Sequence, residues 1–200
     1  AHGAARIFGG SWHSDWSVQA TPPSATLLYG EVVPPRGGDT VFADACRAFE
    51  ALSPTMQQLL LPLNAVHSAA PAYGPKGLFS RDDASRSMQI IVSPEADKTE
   101  LHPLVRRHPL SGRCALYINH VYTIGIEGMR GNESQALLDF LFKHLVRHEF
   151  IYRHHWQPRT LLLWDNRCVI HYADGGYEGH SRLMFRTTVA GERPQAARAV

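Results

Sequence analysis

The chain has 200 residues, of which 44% are hydrophobic and 19% charged, and a formal net charge of +2. That balance excludes a disordered or low-complexity chain and is too weakly basic for nucleic acid to be the main partner. There is no apolar run of about 18 residues to span a membrane. The three cysteines, Cys46, Cys114 and Cys168, form no C-x-x-C pair. An odd, scattered set of thiols argues against a disulfide framework or a zinc ribbon and points to a reducing cytoplasm. The length fits one domain with a sizeable core, and the first ten residues do not have the form of a signal peptide.

In chain order, the first distinctive stretch is "GSWHSDWSV", with His13 and Asp15 two apart. In an extended segment, residues i and i+2 point to one face. Two solvated polar residues on a surface strand satisfy that spacing, and so do two of the three ligands of a two-histidine, one-carboxylate metal site. "ATLLYGEVV" (25–33) reads as a strand closed by the turn "PPRGGDT". "ADACRAFEAL" and "SPTMQQLLLPL" read as helices, the second opened by Ser53 with Pro54 at its first position. "NAVHSA" and "SMQIIVS" are short strand candidates, and the segment between them has the composition of a loop. "HPLVRRHPLSGRCALYIN" has the form of a hairpin with "LSG" at its tip.

The clearest helix spans 132–149, with Asn132 and Gln135 at capping-box spacing and an apolar stripe of Leu137, Leu138, Leu141, Phe142 and Leu145. Strands follow at "FIYRHHW", "TLLLWD", "CVIHYA" and "RLMFRTTVAG". Many short strands with one long helix outside them predict a jelly roll with helical additions. His171, in "CVIHYA", could supply a second imidazole or be a half-buried strand histidine. Arg182 and Arg186 fall on one face of the last strand, about 13 Å apart. They are either solvated or turned inward, where a planar guanidinium grips a carboxylate or sulfonate.

"WHSD", "GGDT", "WDNRCVIHYA" and "RLMFRTTVAG" occur in an order that closely resembles the taurine dioxygenase family, which also includes alkylsulfatases and phenoxyalkanoate dioxygenases. The resemblance runs from about residue 11 to residue 194. It implies a mainly β double-stranded β-helix of cupin type with flanking helices. It implies that His13, Asp15 and His171 bind Fe(II), and that Thr40 and Arg182 hold the distal carboxylate of the cosubstrate 2-oxoglutarate. Arg186 then contacts the anionic group of the substrate or the C1 carboxylate of the cosubstrate, and Trp164, Asp165 and Asn166 support the strand end that presents His171. With O2, such a site hydroxylates a small anionic substrate such as taurine or another alkylsulfonate, releasing sulfite, succinate and CO2. Related halogenases lack the carboxylate at the position of Asp15, so its presence favours hydroxylation.

Three features depart from the family pattern. Members usually carry a further segment ahead of the H-x-D pair, so residues 1–200 read as a single dioxygenase domain lacking that part. Ile170 and Phe185 stand where Gln and His are frequent. Trp16 follows the carboxylate and is expected to line the substrate pocket, and the loop over 69–87 is expected to act as a lid. The resemblance also implies a dimer or tetramer. An alkyl sulfate ester or a phenoxyalkanoate is the alternative substrate. A zinc hydrolase or a non-catalytic cupin-like acid-binding protein is the more remote reading.

Overall fold

The computed structural model of the chain describes residues 9–79 and 92–197. Its centre is a pair of facing antiparallel sheets. The first contains β1 (Ala25–Val32), flanked by β9 (Thr160–Asp165) and β11 (Leu183–Val189). The second contains β2 (Thr40–Asp44), flanked by β8 (Ile151–His154) and β10 (Val169–Ala173). Phe42 of β2 meets Trp164 of β9 across the gap, with ring centroids 5.5 Å apart, and Trp164 lies 4.7 Å from the His171 ring. This is the jelly roll that the strand pattern predicts.

The helices pack on the outer side of the second sheet. Asp44 ends β2 and caps α1 (Ala45–Glu50), its carboxylate accepting from the Cys46 and Arg47 backbone N–H groups at 2.9 Å. Ser53 caps α2 (Pro54–Leu60) as expected. β3 (Asn64–Ser68), β4 (Thr99–Pro103) and β7 (Thr123–Ile126) form a third sheet; the short helix α3 (Ala70–Tyr73) follows β3. β5 (Val105–Arg107) and β6 (Cys114–Leu116) form the expected hairpin, extended by β12 (Gln195–Ala196). Ala43, Ala48, Leu60, Leu104, Leu116, Leu141 and Ile170 are buried in the main core between these layers.

Three local expectations change. The long helix, α4, is Gly131–Leu145, starting one residue and ending four residues earlier than the pattern suggests; a 3-10 turn at His148–Phe150 then leads into β8. Asn132 and Gln135 do not form its capping box. The Glu133 carboxylate accepts from the Arg130 N–H at 2.9 Å, while Gln135, two positions further in, donates to Asp139. The segment around His13 is not a strand: one bridge at His13 gives way to a turn, because Trp16 is left-handed, with φ at 50°. The strand expected at "SMQIIVS" lies almost wholly outside the described residues.

Candidate active site

His13 and His171 come from opposite ends of the chain, and backbone pairing joins them. His13 N–H donates to the His171 carbonyl at 2.9 Å and His171 N–H to the His13 carbonyl at 2.8 Å. This is the close exchange of an antiparallel hydrogen-bonded pair, so their side chains leave on the same side. The two ring centroids are 4.3 Å apart. Asp15 completes the group: its Oδ1 lies 3.6 Å from His13 Nε2 and 3.8 Å from His171 Nε2. Ligand atoms of all three fall within 4.8 Å of one another.

The surroundings prepare these groups to coordinate a cation. His13 Nδ1 donates to the Ser11 carbonyl at 2.8 Å, which leaves a lone pair on Nε2. Burial pushes both imidazoles down, His171 to about 3, so both are neutral donors. The buried Nδ1 of His171 has no hydrogen-bond partner among the described residues. Burial alone would push the Asp15 carboxyl up. His171, Arg186, His13 and the Thr26 hydroxyl together outweigh it and hold the carboxyl below its ordinary range. Oδ2 of Asp15 accepts from Thr26 at 2.5 Å and pairs with Arg186 at 2.7 Å. Thr26 is positioned in turn by Asn166 Nδ2 at 2.9 Å, and Asn166 Oδ1 accepts from Trp164 Nε1 at 3.0 Å.

The other expected site residues surround this group. Thr40 is buried opposite Ala173 in the β2–β10 ladder, two residues from His171, and accepts from Trp156 Nε1 at 3.0 Å. The "GGDT" turn before it needs its glycines. Gly37 and Gly38 have φ of +66° and +72°, and a Cβ on Gly37 would fall 2.5 Å from the Gly175 carbonyl. A Cβ on Gly38 would stand 3.3 Å from Arg182 Nε, so this turn and Arg182 are in contact. Arg182 also lies over the Tyr177 ring, 5.5 Å from its centroid, and burial pushes its guanidinium down. Arg182 precedes β11 rather than lying within it, while Arg186 opposes Leu28 and reaches Asp15 from the inner face. Trp16 is 43% exposed.

Reading the sequence missed Thr26, because a single threonine in an apolar strand carries no signal of its own. A second possible metal group, His108, Asp165 and Cys168, is explained without a cation. His108 Nδ1 accepts from the Leu110 and Ser111 N–H groups, so its proton sits on Nε2 and goes to Asp165 at 3.0 Å. Arg167 grips the same carboxylate at 2.8 and 2.7 Å. No helix among the described residues is long and apolar enough to cross a membrane.

The "alpha-ketoglutarate-dependent sulfonate dioxygenase" of Saccharomyces cerevisiae is 37% identical over 199 residues, which is 95% of this chain and 45% of the relative. The "alpha-ketoglutarate-dependent 2,4-dichlorophenoxyacetate dioxygenase" of Cupriavidus pinatubonensis is 38% identical over 160 residues, covering 80% of this chain and 53% of that one. The chain thus spans about half the length of the curated relatives it matches. Among solved structures, AAD-2 in complex with Mn(II) and N-oxalylglycine superimposes with a TM-score of 0.79 at 33% identity, covering 94% of this chain and 71% of AAD-2. The model of the taurine catabolism dioxygenase TauD, TfdA family matches residues 2–188, a span that contains every site residue named above, and the chain belongs to that family.

Proposed function

We propose that this chain carries the active site of an Fe(II)- and 2-oxoglutarate-dependent dioxygenase that hydroxylates a small anionic substrate, in the first place an alkylsulfonate. The observation that supports it is the cross-strand His13–His171 pair with Asp15 Oδ1 facing both rings. Two neutral imidazoles and one ionised carboxylate fit a divalent iron, and they leave part of its coordination sphere for other ligands. Fe(II), 2-oxoglutarate and O2 together supply an oxidant that replaces a C–H hydrogen by hydroxyl, with succinate and CO2 as coproducts.

The chain's own residues bind, orient and exclude water. Thr40 and Arg182, at the Gly37–Gly38 turn, hold the distal carboxylate of 2-oxoglutarate; a planar guanidinium suits that task. Arg186 contacts the acidic group of the substrate or the C1 carboxylate of the cosubstrate. Thr26 and Asn166 fix the rotamer of Asp15. Hydroxylation of a carbon bearing a sulfonate gives a product that fragments with release of sulfite. The relative named for 2,4-dichlorophenoxyacetate keeps a phenoxyalkanoate as the second reading, with an alkyl sulfate ester beside it.

The test is succinate formation from 2-oxoglutarate, dependent on Fe(II), across sulfonates, sulfate esters and phenoxyalkanoates. His171→Ala is expected to lose iron binding. Arg182→Ala is expected to keep iron and to need about 10- to 100-fold more 2-oxoglutarate, the value of a charge-assisted bond of about 1.5–3 kcal/mol. Full activity in both variants would overturn the assignment.

A further inference from the structure

The segment that carries Asp15 is bent in a way its own sequence does not favour. Trp16, the next residue, has φ of 50°, a left-handed backbone that a bulky residue keeps only when its surroundings enforce it. Burial of the indole does not supply that enforcement, because Trp16 is 43% exposed. The turn closes on itself through a bond from the Gln19 N–H to the Trp16 carbonyl at 2.9 Å. Further support comes from a buried polar group under the turn, contributed by β3, β4 and the 119–122 turn before β7.

Ser17 is fully buried, and its hydroxyl meets two side chains from distant parts of the chain. Asn119 Nδ2 donates to Ser17 Oγ at 2.9 Å, and His67 Nδ1 lies 3.0 Å from the same oxygen. The Asn119 amide is oriented by its own oxygen, which accepts from the Val121 and Tyr122 N–H groups at 3.2 and 2.9 Å. Ser17 Oγ therefore receives one hydrogen and has its own to give. Burial keeps His67 neutral, so its Nδ1 can accept that hydrogen.

Two residues further on, the Gln19 carbonyl accepts from His102 Nε2 at 3.0 Å. Ala65 is paired with His102 and His67 with Glu100, so the two histidines are diagonal neighbours on one face of β3 and β4. Both are buried, with ring centroids 5.3 Å apart. The third sheet thus presents two imidazoles to the turn, one bonded to Ser17 and one to Gln19. On the other side of Asp15, Ser14 Oγ donates to the Asn166 carbonyl at 2.9 Å. The backbone that carries the carboxylate is tied down both before and after it.

We infer that Ser17 is a positioning residue for the metal group: its hydroxyl, held by His67 and Asn119, maintains the left-handed turn at Trp16 and so aims Asp15 Oδ1 at His13 and His171. This inference rests on the dioxygenase reading, which takes those three residues as iron ligands. Thr26 and Arg186 act on Asp15 by touching its other oxygen, whereas Ser17 acts through the backbone. Without the hydroxyl, Trp16 is free to relax toward negative φ, and the carboxylate moves with it.

The experiment is equilibrium titration of the protein with Fe(II) under anaerobic conditions at pH 7, beside urea unfolding of the metal-free protein. Visible absorption of the Co(II)-loaded protein reports the geometry of the bound ion. Ser17→Ala is expected to bind Fe(II) about tenfold more weakly, the range of residues that orient a metal ligand, and to change the Co(II) spectrum. Ser17→Thr, which keeps the hydroxyl, should restore both. Leu141→Ala, which weakens the core at α4, should lower stability and leave Fe(II) affinity unchanged. Should Ser17→Ala fail to fold, His67→Leu takes away the acceptor of the same hydroxyl and is expected to weaken Fe(II) binding in the same direction. A folded Ser17→Ala or His67→Leu that is less stable yet binds Fe(II) as the parent does overturns the inference and leaves the dioxygenase reading standing. If the parent itself takes up no Fe(II), the dioxygenase reading fails and this inference with it.

Discussion

Thr26→Val removes one hydroxyl from a site it keeps in shape. Thr26 is fully buried on β1, and its hydroxyl donates to Asp15 Oδ2 at 2.5 Å while accepting from Asn166 at 2.9 Å. With Arg186 at 2.7 Å on the same oxygen, this bond holds Oδ2 away and leaves Oδ1 facing His13 and His171. A hydrogen bond to a charged group is worth about 1.5–3 kcal/mol. At about 1.4 kcal/mol per tenfold, that is roughly 10- to 100-fold in metal affinity, the range typical of residues that orient a metal ligand. Asn166 is 2% exposed and would lose the acceptor for its amide, so about 1–3 kcal/mol of folding stability should go as well. The assay is equilibrium titration of Fe(II) under anaerobic conditions, beside urea unfolding of the metal-free protein. Thr26→Ser should restore most of both losses. If Thr26→Val binds Fe(II) as the parent does while its stability falls, the hydroxyl is only scaffold, and the argument that it aims Asp15 is wrong.

Gly38→Ala places a side chain at φ +72°, a strain of about 1–2 kcal/mol, and brings a methyl to 3.3 Å from Arg182 Nε. The KM for 2-oxoglutarate should rise with Fe(II) affinity unchanged; an unchanged KM would separate Arg182 from the cosubstrate. Leu141→Ala empties a fully buried position on α4 and should cost about 2–5 kcal/mol in urea unfolding, whereas a loss below about 1 kcal/mol would show that α4 does not carry the core. Burial pushes His67 down from 6.5 to about 3, so between those values the unfolded chain binds the proton that the folded chain refuses. The stability tied to His67 is complete above pH 6.5 and falls by up to about 1.4 kcal/mol per unit as pH drops toward 3. His67→Gln should flatten that acid slope by about one proton, measured as urea midpoints at pH 7, 6 and 5.

The candidate metal group was legible because its residue types and motif context survive without knowledge of pairing. The reason first considered for them, a shared face of one strand, was not what joins them. Trp16 turns the chain left-handed one residue after Asp15, so the segment could not run on as a strand. His13 and His171 meet through a bridge between residues 158 positions apart in the chain, and no local pattern encodes such a partner. The apolar stripe placed α4 correctly, yet its ends shifted, because the cap lies in Glu133 and the backbone of Arg130, outside the Asn132–Gln135 spacing. Alternation put Arg182 and Arg186 on one face and left its direction open; the pair with Asp15 turns Arg186 inward, whereas Arg182 lies before β11 and touches the Gly38 turn.

What keeps the site assembled is the register of β10. Side chains alternate there: Ile170 enters the core under the helices while His171 enters the jelly roll. A slip of one residue against β2 would exchange them, moving the imidazole into the helix layer and an isoleucine to the metal group. Both ends of the ladder are pinned by bonds outside it. Ala45 N–H donates to the Cys168 carbonyl at 2.9 Å, immediately after the Asp44 cap that starts α1. At the other end, Asp174 N–H donates to the Asp39 carbonyl at 2.8 Å and Gly38 N–H to the Gly175 carbonyl at 2.9 Å. The Gly37–Gly38 turn therefore acts twice, packing against Arg182 and fixing which face His171 presents. A helix cap and a glycine turn, neither of which touches the metal group, decide that one histidine faces another from the far end of the chain.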